Sequence, residues 1–401
     1  GLSAVPENHG RQGLKKRKTD YYDYSLVAVI LLLTGFGLVM LYSTSAYTAQ
    51  VKFGNDMYYF SKQAIISICA IVLAILLSLL DYHILWKVGG FIFVAALALM
   101  ALVRSPLGVS VNGARRWLKL GVQFQPSELA KIAVIVLVPL LIVKMGRRFK
   151  GIKACLLPLF AGALLAFFAY YFTENLSTAI IIFLMDCVII FVAHPRTAPF
   201  IILAAVGAAL IAAGVYVLWK YASSGTSFRI SRILVWQNPE KYADGDGYQI
   251  LQALYALGSG GLFGKGLGNS TQKLGALPEA QNDMIFSIVC EELGIFGGIP
   301  VILLFIYMLY RLFFIAQNAP DLYGSLMVTG IFAHISLQVI LNICVVLNLI
   351  PTTGITLPFI SYGGTSVLLL MLEMSVALSV SRKIRFRKEE RDLWGDVVNA
   401  Y

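Results

Sequence analysis

The sequence has few charged residues for its length. Only 13% of its 401 residues are charged, whereas about a quarter are charged in an average soluble domain. Hydrophobic residues make up 58% of the chain. This balance argues against a soluble globular protein. The positions of the apolar residues along the chain therefore bear directly on the fold class.

Histidine and cysteine are scarce and scattered. None of the four histidines has a second ligand at metal spacing, and the five cysteines lie in or beside apolar runs without a Cys-x-x-Cys pair. A zinc site and a disulfide framework are therefore not expected.

The net charge of +11 is unevenly distributed. Half of the 32 basic residues fall in three short segments, which are Arg11–Lys18, Lys144–Lys153 and Arg382–Arg391. Clusters of this kind are typical of the cytoplasmic flanks of transmembrane helices. We therefore expect no nucleic-acid partner.

Long apolar runs account for most of the chain, and a bilayer-spanning helix needs roughly 20 mostly apolar residues. The sequence predicts an all-α polytopic membrane protein with about ten transmembrane helices and no cleavable signal peptide. The predicted spans are 25–46, 60–80, 85–103, 127–144, 153–171, 176–193, 198–219, 284–314, 322–347 and 360–382.

An even number of spans with basic segments at both ends places both termini in the cytoplasm. We expect a basic N-terminal tail over 1–24, a membrane domain over 25–382 and a C-terminal tail over 383–401. The loops expected outside are 47–59, 104–126, 220–283 and 348–359, and 220–283, between spans seven and eight, is the long one.

The loop 104–126 breaks the charge rule, because it carries four basic and no acidic residues, namely Arg104, Arg115, Arg116 and Lys119. A basic cluster at the outer interface could contact lipid headgroups or hold an anionic group such as a diphosphate. Charge alone leaves both interpretations open.

The loop 220–283 contains a helical pattern over Tyr248–Leu257 and a glycine-rich run over Gly258–Gly268. The run is not a phosphate-binding P-loop, because Ser259 stands where its first Gly belongs and Gly266 follows the Lys. We interpret it as a flexible re-entrant turn from which Lys265 could contact an anion.

Asp283 lies at the mouth of the eighth span. In helical geometry it would share one face with Ser287 and Glu291. Desolvation there would raise the pKa of a carboxyl group and suit it to act as a general base. The alternative is that Asp283 only caps the helix.

Other polar residues gather at the same end of the bundle. Glu128 and Lys131 can pair at i, i+3, which could be purely structural, and Lys62 could simply snorkel. The segment Leu349–Ser366, which includes Ser361, is rich in Pro and Gly and is a candidate wall of a site.

Several of these motifs together resemble the SEDS family (shape, elongation, division and sporulation proteins). They are Asn112–Leu118, Phe124–Lys131, Gly247–Gln249, Gly264–Gly268, the Pro278–Gly294 block with Asp283, and Pro351–Ser366. One departure is Asn175, where many members have Asp. Tyr22–Leu26 and Leu41–Ser45 look more like the division members than the elongation members.

The resemblance implies a ten-span peptidoglycan glycosyltransferase of the bacterial cytoplasmic membrane that polymerises lipid II outside and releases undecaprenyl diphosphate. It implies a class B penicillin-binding protein as partner, beside other division or elongation proteins. Asp283 matches the family's catalytic position. The candidates for substrate binding are Lys62, Arg115, Arg116, Glu128, Lys131, Lys265 and Ser361, and a divalent cation, Mg²⁺ or Mn²⁺, could share the work.

A flippase for lipid-linked precursors is a competing interpretation, because spans, carboxylates and basic mouths fit both activities. A flippase should line both halves of the bilayer with polar groups, whereas most ionisable residues here lie at the outer end. Asp186 and Glu373 are deeper exceptions. A scaffold that only recruits partners would leave Asp283 unexplained.

Overall fold

The computed structural model describes residues 19–111, 114–120, 122–221, 228–245, 247–274 and 277–386. Twelve α-helices are seen there. They are α1 (Tyr24–Phe53), α2 (Tyr58–Ser78), α3 (Leu85–Leu102), α4 (Pro126–Met145), α5 (Leu156–Thr173), α6 (Leu176–Ala193), α7 (Ala198–Tyr221), α8 (Phe228–Gln237), α9 (Tyr248–Gly260), α10 (Ile285–Asn318), α11 (Leu322–Val346) and α12 (Thr365–Arg382).

Nine helices within the described residues are long and apolar enough to cross a membrane. The remaining predicted span, 198–219, corresponds to α7, whose apolar part runs over Ala198–Gly214. The ends of these helices follow local chemistry. Asp23 begins α1 by accepting the Leu26 N–H at 2.9 Å, and Gly54 ends it at a positive φ of 67°.

The two ends of the bundle domain meet. Strand β1 (Thr19–Asp20) pairs antiparallel with β5 (Arg385–Phe386), so Thr19 lies opposite Phe386. Because both ends lie at one face, the chain must cross an even number of times, and α7 is the candidate for a tenth crossing beside the nine long helices of the described residues. We call this face the terminal face and the opposite one the site face.

The core lies among α4, α11 and α12, which are the most buried of the spans, whereas α2 and α3 are the most exposed. Apolar side chains cover the outside of the bundle, as expected where lipid is the solvent. The all-α polytopic fold predicted from the sequence is confirmed.

Two features of the site face, a sheet and helix α8, differ from the prediction. The segment 104–126 is a three-stranded antiparallel sheet of β2 (Gly108–Val111), β3 (Ala114–Leu120) and β4 (Val122–Phe124) rather than a loop. The segment 220–283 contains α8 and α9. The helix predicted from Tyr248 is confirmed and extends to Gly260.

Candidate active site

Asp283 lies in the turn that leads into α10. Its side chain is buried, with 9% of its surface exposed, and its Oδ1 atom has no hydrogen-bond partner among the described residues. Because α10 begins only at Ile285, the predicted common helical face with Ser287 and Glu291 is wrong. The capping alternative is not supported either, since Met284 is the N-cap residue and no side chain caps this helix.

The turn is held from the segment between α11 and α12. The Ser361 hydroxyl donates to the Asn282 carbonyl at 2.6 Å, and the Tyr362 N–H donates to the Gln281 carbonyl at 2.9 Å. Ser361, a predicted substrate-binding residue, therefore contacts the backbone next to Asp283 and is 4% exposed. Its geometry is that of a positioning residue.

Asn342, on α11, holds the turn from the other side. Its Nδ2 atom donates to the Asp283 carbonyl at 2.8 Å and to the Ile355 carbonyl at 2.7 Å. Asn342 is fully buried, so each of these bonds is made away from water and would be costly to lose. Two elements thus fix the backbone that carries the carboxylate.

The electrostatics of Asp283 suit a proton acceptor. Burial, and then the nearby Glu279 carboxylate, raise its pKa to about 7, while its own backbone N–H and Arg232 act in the opposite direction. Glu279 itself adopts a positive φ of 56° and accepts a hydrogen bond from the Asn282 side chain. Near neutral pH the Asp283 carboxyl group can therefore both accept and release a proton.

The predicted cations of the sheet lie near the end of α5. Arg116 is half-buried and donates to the Glu174 carbonyl at 3.5 Å, and exposed Arg115 donates to the Arg104 carbonyl at 3.5 Å. Arg104 pairs with Glu174 at 3.5 Å and lies over the ring of Tyr171. The cluster holds more positive than negative charge.

Arg232, on α8, was not identified in the sequence. It donates to the Thr352 carbonyl at 3.0 Å and acts electrostatically on both Asp283 and Arg116. Burial, and then Arg232, lower the pKa of Arg116. Two cations close enough to repel each other indicate a place that favours an anion. The only sequence signal was an Arg on a short amphipathic segment within a long loop.

The predicted pair of Glu128 and Lys131 is confirmed, with Nζ and Oε1 2.9 Å apart. Lys131 is buried and also donates to Gln338 at 3.4 Å. Gln338 contacts His334 at 2.7 Å, and His334 contacts Glu373 at 2.6 Å. The pair is therefore the site-face end of a buried polar chain that joins α4, α11 and α12.

Lys265 is neutralised by a carboxylate of α10. Its Nζ lies 2.6 Å from Oε1 of fully buried Glu291, and the adjacent Glu292 pairs with Lys273 at 2.8 Å. The glycine-rich turn is also bound to α10 through its backbone, because the Lys265 N–H donates to the Glu291 carbonyl at 3.0 Å. Lys62, in contrast, is exposed near the start of α2, at its fifth residue.

The residues that could hold a metal are mostly neutral. No group of three or more His, Cys, Asp or Glu side chains forms a metal cage among the described residues. Next to Asp283, however, the amide oxygens of Asn282 and Asn342 also have no partner there. A single carboxylate with amide oxygens suits a hard cation that takes its other ligands from a phosphate.

Comparison with known proteins identifies relatives across almost the whole chain. The family model of FtsW, RodA and SpoVE cell cycle proteins matches residues 24–386. The Stage V sporulation protein E of Bacillus subtilis is 38% identical over 366 residues, which cover 91% of this chain and 98% of that protein. The probable peptidoglycan glycosyltransferase FtsW of the same organism is 34% identical over 384 residues, 94% of each chain.

Solved structures give the same result. A chain from a peptidoglycan synthase complex, described as coordinating polymerization and crosslinking, superposes with a TM-score of 0.73 at 26% identity over 92% of this chain and 99% of that one. The Rod shape determining protein RodA of Thermus thermophilus superposes with a TM-score of 0.61 at 26% identity, over 92% and 98% of the two chains.

Proposed function

Because the chain belongs to the FtsW, RodA and SpoVE family, we propose that it is a peptidoglycan glycosyltransferase that polymerises lipid II with Asp283 as the general base. The observation that carries the assignment of the base is one buried carboxylate with a free oxygen, set in a turn that two other elements hold. A group held in this way costs little reorganisation when the reaction occurs.

The chemistry is the transfer of a glycosyl group from a lipid diphosphate to a sugar hydroxyl. The acceptor oxygen forms a bond to the anomeric carbon of the donor, and the bond from that carbon to the diphosphate oxygen breaks. The diphosphate leaves with the electron pair, and Asp283 takes the hydroxyl proton. A pKa of about 7 leaves much of the carboxyl group ionised at neutral pH.

The leaving diphosphate needs positive charge. Arg116 and Arg232 supply it in our proposal, because they act on each other and Arg232 also acts on Asp283. Arg115 and Lys62 are exposed and can contact an incoming anion. Lys131 and Lys265 are paired with carboxylates, and we propose that they support the site by holding Glu128 and Glu291.

A divalent cation is compatible with the residues present. Asn282 and Asn342 would hold it through their amide oxygen atoms, which lack partners among the described residues, beside the Asp283 carboxylate. When bound, Mg²⁺ or Mn²⁺ would offset the charge that develops on the departing diphosphate.

The chain is a multi-pass membrane protein, and we propose that its site face lies outside the bacterial cytoplasmic membrane with both termini inside. The basic segments at Lys144–Lys153 and Arg382–Arg391 support this orientation. A class B penicillin-binding protein is the proposed partner, in keeping with the synthase complex to which the chain is similar. A role in division rather than elongation stays a prediction.

The flippase alternative predicted polar groups in both halves of the bilayer. His334 and Glu373 do lie within spans, but they bond to each other and are 1% and 3% exposed. They tie α11 to α12 instead of lining an open path. The charged groups around Asp283 gather at the site face, which favours chemistry at one surface.

The experiment that separates the two activities uses the purified protein in liposomes with fluorescent lipid II, with and without its partner. We expect glycan strands on a denaturing gel. Transbilayer movement of intact lipid II without any strands would overturn the proposal in favour of the flippase.

A further inference from the structure

Four aromatic side chains form a continuous cluster at the site face. Phe53, at the end of α1, stacks on Tyr58 of α2 with ring centroids 4.1 Å apart. Tyr58 contacts Tyr59 at 5.4 Å, and Tyr59 contacts Tyr362 at 5.2 Å. Phe53 and Tyr58 remain 50% and 38% exposed. The outer half of the cluster is therefore free to meet a ligand.

The inner half of the cluster is joined to the catalytic turn. The Tyr362 N–H donates to the Gln281 carbonyl at 2.9 Å, two residues before Asp283. The Glu279 carboxylate acts electrostatically on both Asp283 and Tyr59. The cluster that contains Tyr58 thus reaches, through Tyr59 and Tyr362, the turn that carries the carboxylate we propose as the base.

One side of α2 carries three chemically different side chains in succession, beginning with Tyr58. Lys62 follows at i+4 and Ile65 at i+7, so the three residues lie on one side of the helix. Lys62 is exposed, and Ile65 is 63% exposed. From the site face toward the bilayer centre this stripe reads aromatic, cation, aliphatic.

We propose that this stripe binds the lipid-linked acceptor, with its sugars on Phe53 and Tyr58, its diphosphate at Lys62 and its lipid chain along Ile65. The inference rests on the proposed function and names the acceptor subsite of the same site. The order of the stripe matches the order of groups in a lipid diphosphate sugar. The C–H faces of a sugar ring carry partial positive charge and suit the electron-rich face of an aromatic ring.

Aromatic residues also anchor membrane proteins at the interface. An anchor, however, needs no contact with a catalytic turn, whereas this cluster reaches it through Tyr362. An acceptor held in the membrane by its lipid must carry its sugars at the level of the interface, where α2 begins. The cluster therefore lies at the depth that the acceptor requires.

The test compares two probes, lipid II and undecaprenyl diphosphate, which lacks the sugars. Binding is measured by native mass spectrometry of the full chain in nanodiscs, in the Asp283→Asn background so that no turnover occurs. Tyr58→Leu should weaken lipid II by about three- to ten-fold and leave the sugar-free probe unchanged. Lys62→Met should weaken both probes.

Two matched variants serve as controls. Tyr24→Leu changes an exposed aromatic residue at the other end of α1, and Lys52→Met changes an exposed lysine outside the stripe. Neither should alter binding. In the wild-type background, Tyr58→Leu should raise the KM for lipid II and leave kcat nearly unchanged.

If Tyr58→Leu weakens the binding of both probes equally, or of neither, the cluster is only a membrane anchor. Either result would overturn the proposal. A wild-type protein that binds lipid II but makes no strands would instead contradict the proposed polymerase. The binding measurement still decides on the subsite in that case. Leucine keeps the surface apolar, and the melting temperature of each variant checks that it folds.

Discussion

Asp283 owes its raised pKa to two separable causes, burial and the Glu279 carboxylate. Because the base must be ionised, polymerisation should rise with pH and level off above about 7. Glu279→Gln removes one cause, so the rising limb of kcat/KM should move to lower pH. Because burial still acts in this variant, the pKa of Asp283 should stay above its ordinary value of 3.8. The measurement is kcat/KM for lipid II across this pH range.

A matched control is Glu240→Gln, which removes an exposed carboxylate from the same region of the chain. Its profile should coincide with that of the wild type. A limb that does not respond to Glu279→Gln would show that another group limits the rate. The raised pKa also means that the folded state loses stability as pH rises from about 4 through 7, because ionised Asp283 is then buried with its Oδ1 atom unpaired among the described residues.

Ser361 separates a positioning role from a substrate contact. Ser361→Ala removes the donor to the Asn282 carbonyl and the acceptor of the Leu357 N–H. We expect kcat to fall by about ten-fold or more while the KM for lipid II stays nearly constant, because the turn that carries Asp283 loosens. Ser366→Ala, at the second residue of α12, is the control. A rise in KM at constant kcat would assign Ser361 to the substrate instead.

At the residue scale the sequence was informative where chemistry is local. An acidic residue at the mouth of a span, or a Glu and a Lys three residues apart, can be identified from spacing alone. Arg232 could not, because it reaches Thr352 and Asp283 only through the folding of α8 over the site. Ser361 was named correctly as a member of the site, but the atom that it contacts depends on tertiary structure.

At the scale of elements, α10 and the glycine-rich turn are held together at a kink. Gly294 has a φ of 68° inside α10, and a Cβ atom there would lie 2.4 Å from the Gly264 nitrogen. The backbones of the turn and the helix can approach this closely only because both positions are glycine. The ion pairs of Glu291 and Glu292 close the same contact from the side.

A double-mutant cycle tests this account of Lys265. Lys265→Met leaves buried Glu291 without its cation and held only by donors such as Ser270 and Thr271, which should cost about 1–3 kcal/mol, less than a fully buried pair because Lys265 is 32% exposed. Adding Glu291→Gln should restore most of the stability and the polymerisation rate. The measurements are thermal unfolding in detergent and strand synthesis.

Lys383→Met breaks an exposed pair with Asp81 on the terminal face and should change stability by less than about 1 kcal/mol. If the double variant regains its stability but stays inactive, Lys265 contacts the substrate after all.

The transmembrane spans were the elements best predicted from the sequence. In a membrane a long apolar run must satisfy its own backbone hydrogen bonds, and a helix does so. The sheet of β2, β3 and β4 was not predicted. Its strands are short, and its basic residues were interpreted only through their charge. The predicted helical face counted Asp283 into α10, which begins two residues later at Ile285, and this gave Asp283 the wrong neighbours.

At the scale of the whole molecule, the pairing of Thr19 with Phe386 requires an even number of crossings. We expect a fluorescent protein fused after residue 386 to fold in the cytoplasm. Alkaline phosphatase inserted at residue 244, on the site face, should be active outside. If the fluorescent protein after residue 386 does not fold and the phosphatase at residue 244 is inactive, the topology is the opposite one. The site face would then lie in the cytoplasm, which contradicts the proposed chemistry.

The central claim is that one carboxylate on the site face deprotonates the acceptor, and Asp283→Asn tests it most directly. The substitution keeps the shape of the side chain and removes the base. With purified protein, partner and lipid II, strand synthesis should fall by about 10²–10⁴-fold while the protein stays folded and bound to its partner. Strands made by Asp283→Asn at the wild-type rate would contradict the account.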